Sequence, residues 1–251
     1  MRCRRPPARK WHPEVLRLVT FDLDGTLFAN APYIRDLLRD WFFAHLSRGP
    51  VWLFRAVRAA RSFQRARDRL RSQEPQPGFH DRQFQLAAEL CGYDESFVRE
   101  VVDELIYDNS FEGAAAHVFP GVRETLASLK ARKLKLGVLS DYPVEAKLRA
   151  MGLDDCGWDV LLSSEDVNAL KPRPELFLSA CRRFGVTPAE ALHVGDRVDC
   201  DVAGAHAAGM RTLLLTAAGT RSRPGPEPDF RAANYEQLRI IVETLLGPRG
   251  K

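Results

Sequence analysis

The stretch Phe21-Asp22-Leu23-Asp24-Gly25-Thr26 decides the fold class, because it places two carboxylates two residues apart at the end of an apolar run. Residues 15–21 have the composition of a buried strand. Side chains two apart in a strand point to the same side, so both aspartates are expected to enter one site where Gly25 lets the backbone bend. Taken alone, the same residues are also typical of an ordinary turn.

A second segment places polar groups after a short apolar run. Residues 134–139 form a strand candidate that is followed by Ser140, Asp141 and a helix predicted to open at Pro143. A hydroxyl and free backbone N–H groups at a strand-to-helix junction suit a phosphate oxygen. Ser140 or Asp141 would equally serve as a simple helix cap.

Two further segments carry a lysine and a group of aspartates. Lys171 lies in Leu170-Lys171-Pro172-Arg173-Pro174, where the prolines restrict the backbone and predict a helix start at Pro174. Lysine binds phosphate as a point charge, although most isolated Lys-Pro pairs are surface loops. Asp196 follows the apolar run 191–194, at the strand end where open α/β sheets bind ligands. We assign Asp196 to a metal and Asp201 to a supporting role, with a helix N-cap as the alternative for Asp199 or Asp201.

Together these four stretches resemble the haloacid dehalogenase superfamily, in the subfamily that includes the phosphoglycolate phosphatases and carries an α-helical cap. The resemblance is close over residues 15–30 and 117–216 and is limited to helical character over 31–116. It implies an α/β fold with a doubly wound, Rossmann-like parallel sheet. Three positions depart from the pattern, namely Asp141 where many relatives carry Asn, Arg197 where Ser is frequent, and residues 168–170 in place of a glycine.

The resemblance implies a phosphatase that hydrolyses a small phosphomonoester, such as phosphoglycolate, through an aspartyl-phosphate. Asp22 would attack phosphorus, and Asp24 would protonate the leaving oxygen and then activate water. Ser140 and Lys171 would hold the transferring oxygens. An Asp-x-Asp pair favours phosphoryl transfer over dehalogenation, because the dehalogenases resemble Asp-x-Tyr and need no such acid.

The resemblance also implies a bound Mg²⁺. Its protein ligands would be Asp22, the backbone carbonyl of Asp24, and Asp196, with water and phosphate oxygens completing the shell. Asp201 and Asp141 would support these groups. A phosphomutase acting on a sugar phosphate is the enzymatic alternative, because it would use the same aspartyl-phosphate.

The segment between the first motif and the second is predicted to be helical. Apolar residues recur at helical spacing around 31–46, 50–72, 80–91 and 94–109. We expect a helical cap at 31–111, inserted into a catalytic core of 15–30 and 112–251 that follows a basic tail at 1–14. Such a cap would exclude water and select the substrate.

Charge and cysteine content limit the possible partners. From Arg55 to Arg71 the chain has seven arginines and one acidic residue, which suits an anionic substrate, nucleic acid or acidic lipid, or else a solvated helix face. The net charge is only +4, and no nucleic-acid motif accompanies the arginines. A non-catalytic protein that binds nucleic acid or an acidic partner through this helix therefore stays a secondary hypothesis. Five scattered cysteines and the lack of a secretory or membrane-spanning segment predict a cytoplasmic protein.

Overall fold

The structure is a computed structural model that describes residues 16–108, 113–216 and 224–247. Its sheet has six strands, which are β1 (Leu18–Phe21), β2 (Lys135–Ser140), β3 (Val160–Ser163), β4 (Ala191–Gly195), β5 (Arg211–Leu215) and β6 (Phe230–Ala232). All pairings are parallel, and the strand order is β3-β2-β1-β4-β5-β6.

The strand order reverses beside β1. This strand pairs with β2 on one side and with β4 on the other, so the chain winds towards one edge of the sheet and then towards the other. A crevice opens at the carboxyl ends of the strands at such a switch point, and ligands of open α/β sheets bind there. The fold therefore brings the segments after β1, β2 and β4 together.

Helices cover both faces of the sheet. One face packs against α5 (Val122–Ala131), α6 (Glu145–Ala150) and α9 (Tyr235–Leu246), and the other against α7 (Glu175–Phe184) and α8 (Ala203–Ala208). Neighbouring residues of β1 separate accordingly, since Val19 packs in the first cluster and Leu18 in the second. Burial on both faces explains the nearly continuous apolar runs of the strands. The prediction of a doubly wound parallel α/β fold is confirmed.

Among the described residues between β1 and α5, four segments are α-helical. They are α1 (Asn30–Ala44), α2 (Gly49–Leu70), α3 (Phe79–Cys91) and α4 (Glu95–Val102), and α4 continues into a π-helical turn at Asp103–Tyr107. Helices α2, α3 and α4 share a buried apolar cluster, which also includes Leu170. The division into a cap at 31–111 and a core stays a prediction, because residues 109–112 and the tail at 1–14 lie outside the described residues.

The C-terminal segment agrees with its local signals. Asn234 is a typical N-cap residue and predicts a final helix through about Leu246. Its side chain accepts a hydrogen bond from the Gln237 N–H at 2.9 Å and caps α9, which ends at Leu246. Glycines and prolines predict a loop over residues 218–230, of which residues up to 223 lie outside the described residues. Within the described part of the chain, none of the helices combines the length and apolarity needed to cross a bilayer.

Candidate active site

Asp22 and Lys171 meet at the carboxyl edge of the sheet. Asp22 follows β1 directly, and its N–H donates to the Val194 carbonyl at 2.8 Å, which ties it to β4. Lys171 Nζ donates to Asp22 Oδ1 at 2.6 Å and to Asp201 Oδ1 at 2.8 Å. Because the Lys171 side chain is only 2% exposed, this ammonium is shielded from water and held by two carboxylates. Lys171 is therefore not part of a surface loop.

The excess of carboxylates over cations in this buried group disfavours ionisation of Asp22. Burial raises the pKa of Asp22 well above its ordinary value, and the neighbouring carboxylates outnumber the opposing charge of Lys171. Burial also opposes the charge of Lys171, but Asp201 and Asp22 keep the lysine pKa above its ordinary value. Although Asp201 is equally buried, Lys171 holds the pKa of that carboxyl low. Lys171 and Asp201 thus form the ionised pair.

Asp196 completes a group of three carboxylates that fits a divalent cation. Carboxylate oxygens of Asp22, Asp196 and Asp201, the carboxylate cluster, lie within 4.8 Å of one another. Asp196 Oδ1 is buried and has no hydrogen-bond partner. Asp201 instead accepts from Lys171 through Oδ1 and from the Arg197 N–H through Oδ2 at 3.0 Å. Since hard cations prefer such oxygen donors, Asp22 and Asp196 are the better-placed ligands.

Gly25 is required by this geometry and not only by the turn. Its φ is +91°, in the region that favours glycine. A Cβ atom at this position would lie 2.5 Å from Asp196 Oδ2. The segment after β1 therefore packs directly against the Asp196 carboxylate, which an ordinary surface turn would not do.

We expect Mg²⁺ to raise the melting temperature more at pH 8 than at pH 6. Burial, assisted by Asp201, raises the pKa of Asp196 from 3.8 to about 7. The folded protein thus binds this proton more tightly than the unfolded chain, so its metal-free stability falls as the pH rises through about 7. Metal binding needs the deprotonated carboxylate, and protons compete with it below that pH.

Melting curves in EDTA and in Mg²⁺ at the two pH values measure this difference. Ca²⁺ and a monovalent salt of matched ionic strength provide the controls. A Mg²⁺-induced rise that is as large at pH 6 as at pH 8 would contradict the expectation.

The Asp24 carboxylate lies apart from the carboxylate cluster and pairs with a lysine that the sequence motifs do not indicate. Lys147 Nζ donates to Asp24 Oδ1 at 2.7 Å. Lys147 belongs to α6, between the buried residues Val144 and Leu148 on the same helical stripe. A lysine in an apolar stripe is unusual, and this was the available signal. The backbone carbonyl of Asp24 as a metal ligand stays a prediction.

Ser140 and Asp141 are not helix caps. Helix α6 begins only at Glu145 and has no side-chain cap. Ser140 is fully buried at the end of β2, and its Oγ accepts from the Tyr142 N–H at 3.1 Å. Asp141 Oδ1 accepts from Ser164 Oγ at 2.9 Å and from the Lys171 N–H at 3.1 Å. Asp141 therefore joins the segments after β2 and β3 to the Lys171 loop.

Two arginines contact the loops of Asp141 and Lys171, namely Arg67 in α2 and Arg71 directly after it. Arg71 Nη1 donates to Asp141 Oδ2 at 2.9 Å and also to the Lys171 carbonyl. Burial opposes the charge of Asp141, yet Arg71 and Arg67 hold the pKa of its carboxyl low. Arg67 is 1% exposed and donates to the Asp141 carbonyl and to the Gln83 side chain. Arg67 and Arg71 therefore do not belong to a solvated face, unlike the exposed residues Arg58, Arg61, Arg65 and Arg69.

Arg67→Met is expected to destabilise the protein by about 3 kcal/mol, since each buried acceptor left without a donor costs about 1–3 kcal/mol. The affected acceptors are Gln83 Oε1 and the Asp141 carbonyl. Urea denaturation measures the change in the free energy of unfolding. Arg65→Met on the exposed side of α2 is the matched control, with an expected change within about 0.5 kcal/mol. Equal effects of the two substitutions would contradict the interior role of Arg67.

The fold and the site define an α/β protein with a metal-compatible carboxylate cluster and a buried lysine at the switch point of its sheet. The chain belongs to the haloacid dehalogenase-like hydrolase family, whose model matches residues 16–209. The family predicted from the four motifs, and with it a hydrolase, is confirmed.

Individual relatives carry the names of two kinds of hydrolase. The chain is 30% identical to a glyceraldehyde 3-phosphate phosphatase of Methanopyrus kandleri, over 92% of this chain and 99% of the relative. It is 33% identical to a phosphoglycolate phosphatase of Haemophilus influenzae, over 51% of this chain and 58% of the relative. A crystal structure of a 2-haloacid dehalogenase from Pseudomonas syringae pv. Tomato matches with a TM-score of 0.60 and 32% identity, over 90% of this chain and 98% of that one.

Proposed function

We propose that the protein is a magnesium-dependent phosphatase that hydrolyses a small phosphomonoester through an aspartyl-phosphate on Asp22. The observation that carries this proposal is the contrast between two carboxylates of one segment. Asp22 is buried beside Lys171 within the carboxylate cluster, whereas the Asp24 side chain is 20% exposed and lies outside that cluster. A dehalogenase that forms a carbon ester has no leaving alkoxide to protonate, so Asp24 favours phosphoryl transfer.

In the first half-reaction, a carboxylate oxygen of Asp22 forms a bond to phosphorus while the bond from phosphorus to the alkoxy oxygen breaks. Lys171 holds Asp22 Oδ1 at 2.6 Å and balances its charge against the incoming phosphate. Protonated Asp24 gives its proton to the leaving alkoxide. The Ser140 hydroxyl at the end of β2 would hold a transferring oxygen.

In the second half-reaction, the Asp24 carboxylate takes a proton from water as the water oxygen attacks the aspartyl-phosphate. The P–O bond to Asp22 then breaks, which releases inorganic phosphate and restores the Asp22 carboxylate. Mg²⁺ held by Asp22 and Asp196 would neutralise phosphate charge throughout. The partnerless Oδ1 atom of Asp196 supports this role.

The helices between residues 31 and 111 would act as a cap that closes over the crevice. This part of the proposal is supported by Arg71, which reaches both the Asp141 loop and the Lys171 loop. Leu170, directly before Lys171, is buried in the apolar cluster of α2, α3 and α4. A small phosphomonoester, with phosphoglycolate as one candidate, is the substrate class that suits a site covered in this way.

The test is phosphate release from a panel that includes phosphoglycolate, glyceraldehyde 3-phosphate, phosphoserine, sugar phosphates and nucleotides. Each is assayed in Mg²⁺ and in EDTA, with halide release from 2-chloropropionate measured in parallel. The expected result is magnesium-dependent phosphate release without halide release. Halide release alone would replace the proposal with dehalogenation, and phosphate passed to a sugar phosphate without net hydrolysis would replace it with a mutase.

A further inference from the structure

Lys147 has no role in the proposed chemistry, yet it contacts the side chain of the proposed acid and base. Its Nζ lies 2.7 Å from Asp24 Oδ1, and only 8% of the Lys147 side chain is exposed. We propose that Lys147 is a positioning residue that fixes the Asp24 carboxylate for proton transfer. This inference rests on the phosphatase function proposed above.

The surroundings of Lys147 hold its ammonium in one place. Val144 and Leu148 are buried in the apolar cluster that the sheet forms with α5, α6 and α9, which anchors the first turn of α6. The Lys147 ammonium lies 5.2 Å from the ring centre of Tyr142, and the Tyr142 hydroxyl donates to Gln64 Oε1 of α2 at 2.9 Å. The lysine is thus bounded by core packing, an aromatic ring and a carboxylate.

The Asp24 carboxylate needs such a constraint because its surroundings otherwise leave it free to move. It is partly exposed, and the next residue is Gly25 at a positive φ. A general acid or base must lie about 2.6–3.2 Å from the oxygen with which it exchanges a proton. A misplacement of about 1 Å can cost on the order of 10²-fold in rate. Removing Lys147 should therefore harm proton transfer more than phosphate binding.

Leaving-group dependence separates proton transfer from other roles. The ratio kcat/KM covers the steps up to the aspartyl-phosphate, and 2,4-dinitrophenolate leaves without a proton whereas an alkoxide does not. We expect Lys147→Met to lower kcat/KM for an alkyl phosphate by about 10- to 100-fold, a part of the 10²–10⁴-fold that general acid catalysis contributes. For 2,4-dinitrophenyl phosphate the expected loss is under about threefold, because this substrate does not use the acid.

Two comparisons sharpen the test. In an Asp24→Asn background, Lys147→Met should add less than about a twofold loss for the alkyl substrate, because residues that act together are non-additive. Lys147→Arg keeps a cation with displaced donors and should fall between native and Met. Lys130→Met is the matched control, since Lys130 of α5 pairs with Asp159 at the same 2.7 Å. Asp159 lies directly before β3, at the amino ends of the strands and not at the carboxyl ends where the site lies.

The outcomes are distinguishable. Equal losses on both substrates, or an additive loss in the double variant, would overturn the positioning role. A rise in KM confined to substrates with a second anionic group would show instead that Lys147 contacts the substrate. If native protein releases phosphate from neither substrate, the proposed function itself fails. Circular dichroism and melting curves confirm that each variant is folded, and Lys147→Arg carries the test if Lys147→Met is not.

Discussion

Asp22→Asn is expected to lower phosphate release by about 10⁴-fold or more, because an amide does not form the covalent intermediate and loss of a nucleophile costs rates of this order. The substitution preserves the size of the side chain, and the amide oxygen still accepts a hydrogen bond where Lys171 donates to Asp22 at 2.6 Å. The fold is therefore expected to persist while turnover is lost.

Although Asp22→Asn is expected to lose activity, its stability without metal is expected to be unchanged or higher. Burial and the neighbouring carboxylates raise the pKa of Asp22, so its ionised form lowers the free energy of unfolding at neutral and higher pH. Removing the charge should leave the melting temperature in EDTA at pH 8 unchanged or higher. In Mg²⁺ the variant should gain less stability than the native protein, because one ligand carboxylate is missing.

Single-turnover phosphate release and melting curves measure the two effects. Asp155→Asn, at an aspartate whose side chain is 70% exposed, is the control for loss of one carboxylate. Mass spectrometry excludes deamidation of the introduced asparagine back to aspartate as a source of activity. Residual activity above about 1% in the intact Asp22→Asn variant would exclude Asp22 as the nucleophile, given the loss expected for one.

Lys171→Met is expected to lower both activity and stability. Removing one partner of a buried ion pair costs about 3–5 kcal/mol, because a charge is left uncompensated away from water. Here the penalty falls mainly on Asp201, the ionised partner of Lys171, and Asp22 also loses the hydrogen bond that Lys171 donates. At about 2–4 °C for each kcal/mol in a chain of this size, the melting temperature should fall by roughly 6–20 °C.

Denaturant unfolding at pH 7 in EDTA measures this loss, and Lys130→Met again serves as the surface control. The loss should shrink as the pH falls towards 4, because the carboxylates left without Lys171 then become protonated. Adding Asp201→Asn should recover part of the stability, since one of the unpaired charges is removed. A Lys171→Met protein as stable as the native one would contradict the buried pairing.

The local signals of this sequence predicted those parts of the site that lie within single segments. Asp22 and Asp196 each follow an apolar run, and parallel pairing of β1 with β4 makes their strand ends adjacent. The helices after β1 were predicted for the same reason, because helical spacing is a property of neighbouring residues. The interior contacts of Arg67 and Arg71 were not predicted, since the spacing of arginines along a helix does not say what a buried arginine contacts.

The sequence by itself determined the parallel α/β core, the family, and which strand ends carry carboxylates, because apolar periodicity and short motifs act over a few residues. Only the tertiary structure decided the partners of those groups. Lys147 and Asp24 are 123 positions apart, and Arg71 and Asp141 are 70 apart. Such pairs form when helices pack against distant strand ends, and burial then makes each unpaired charge costly. The residues around Lys147 or Arg71 do not reveal which distant carboxylate that packing brings to each of them.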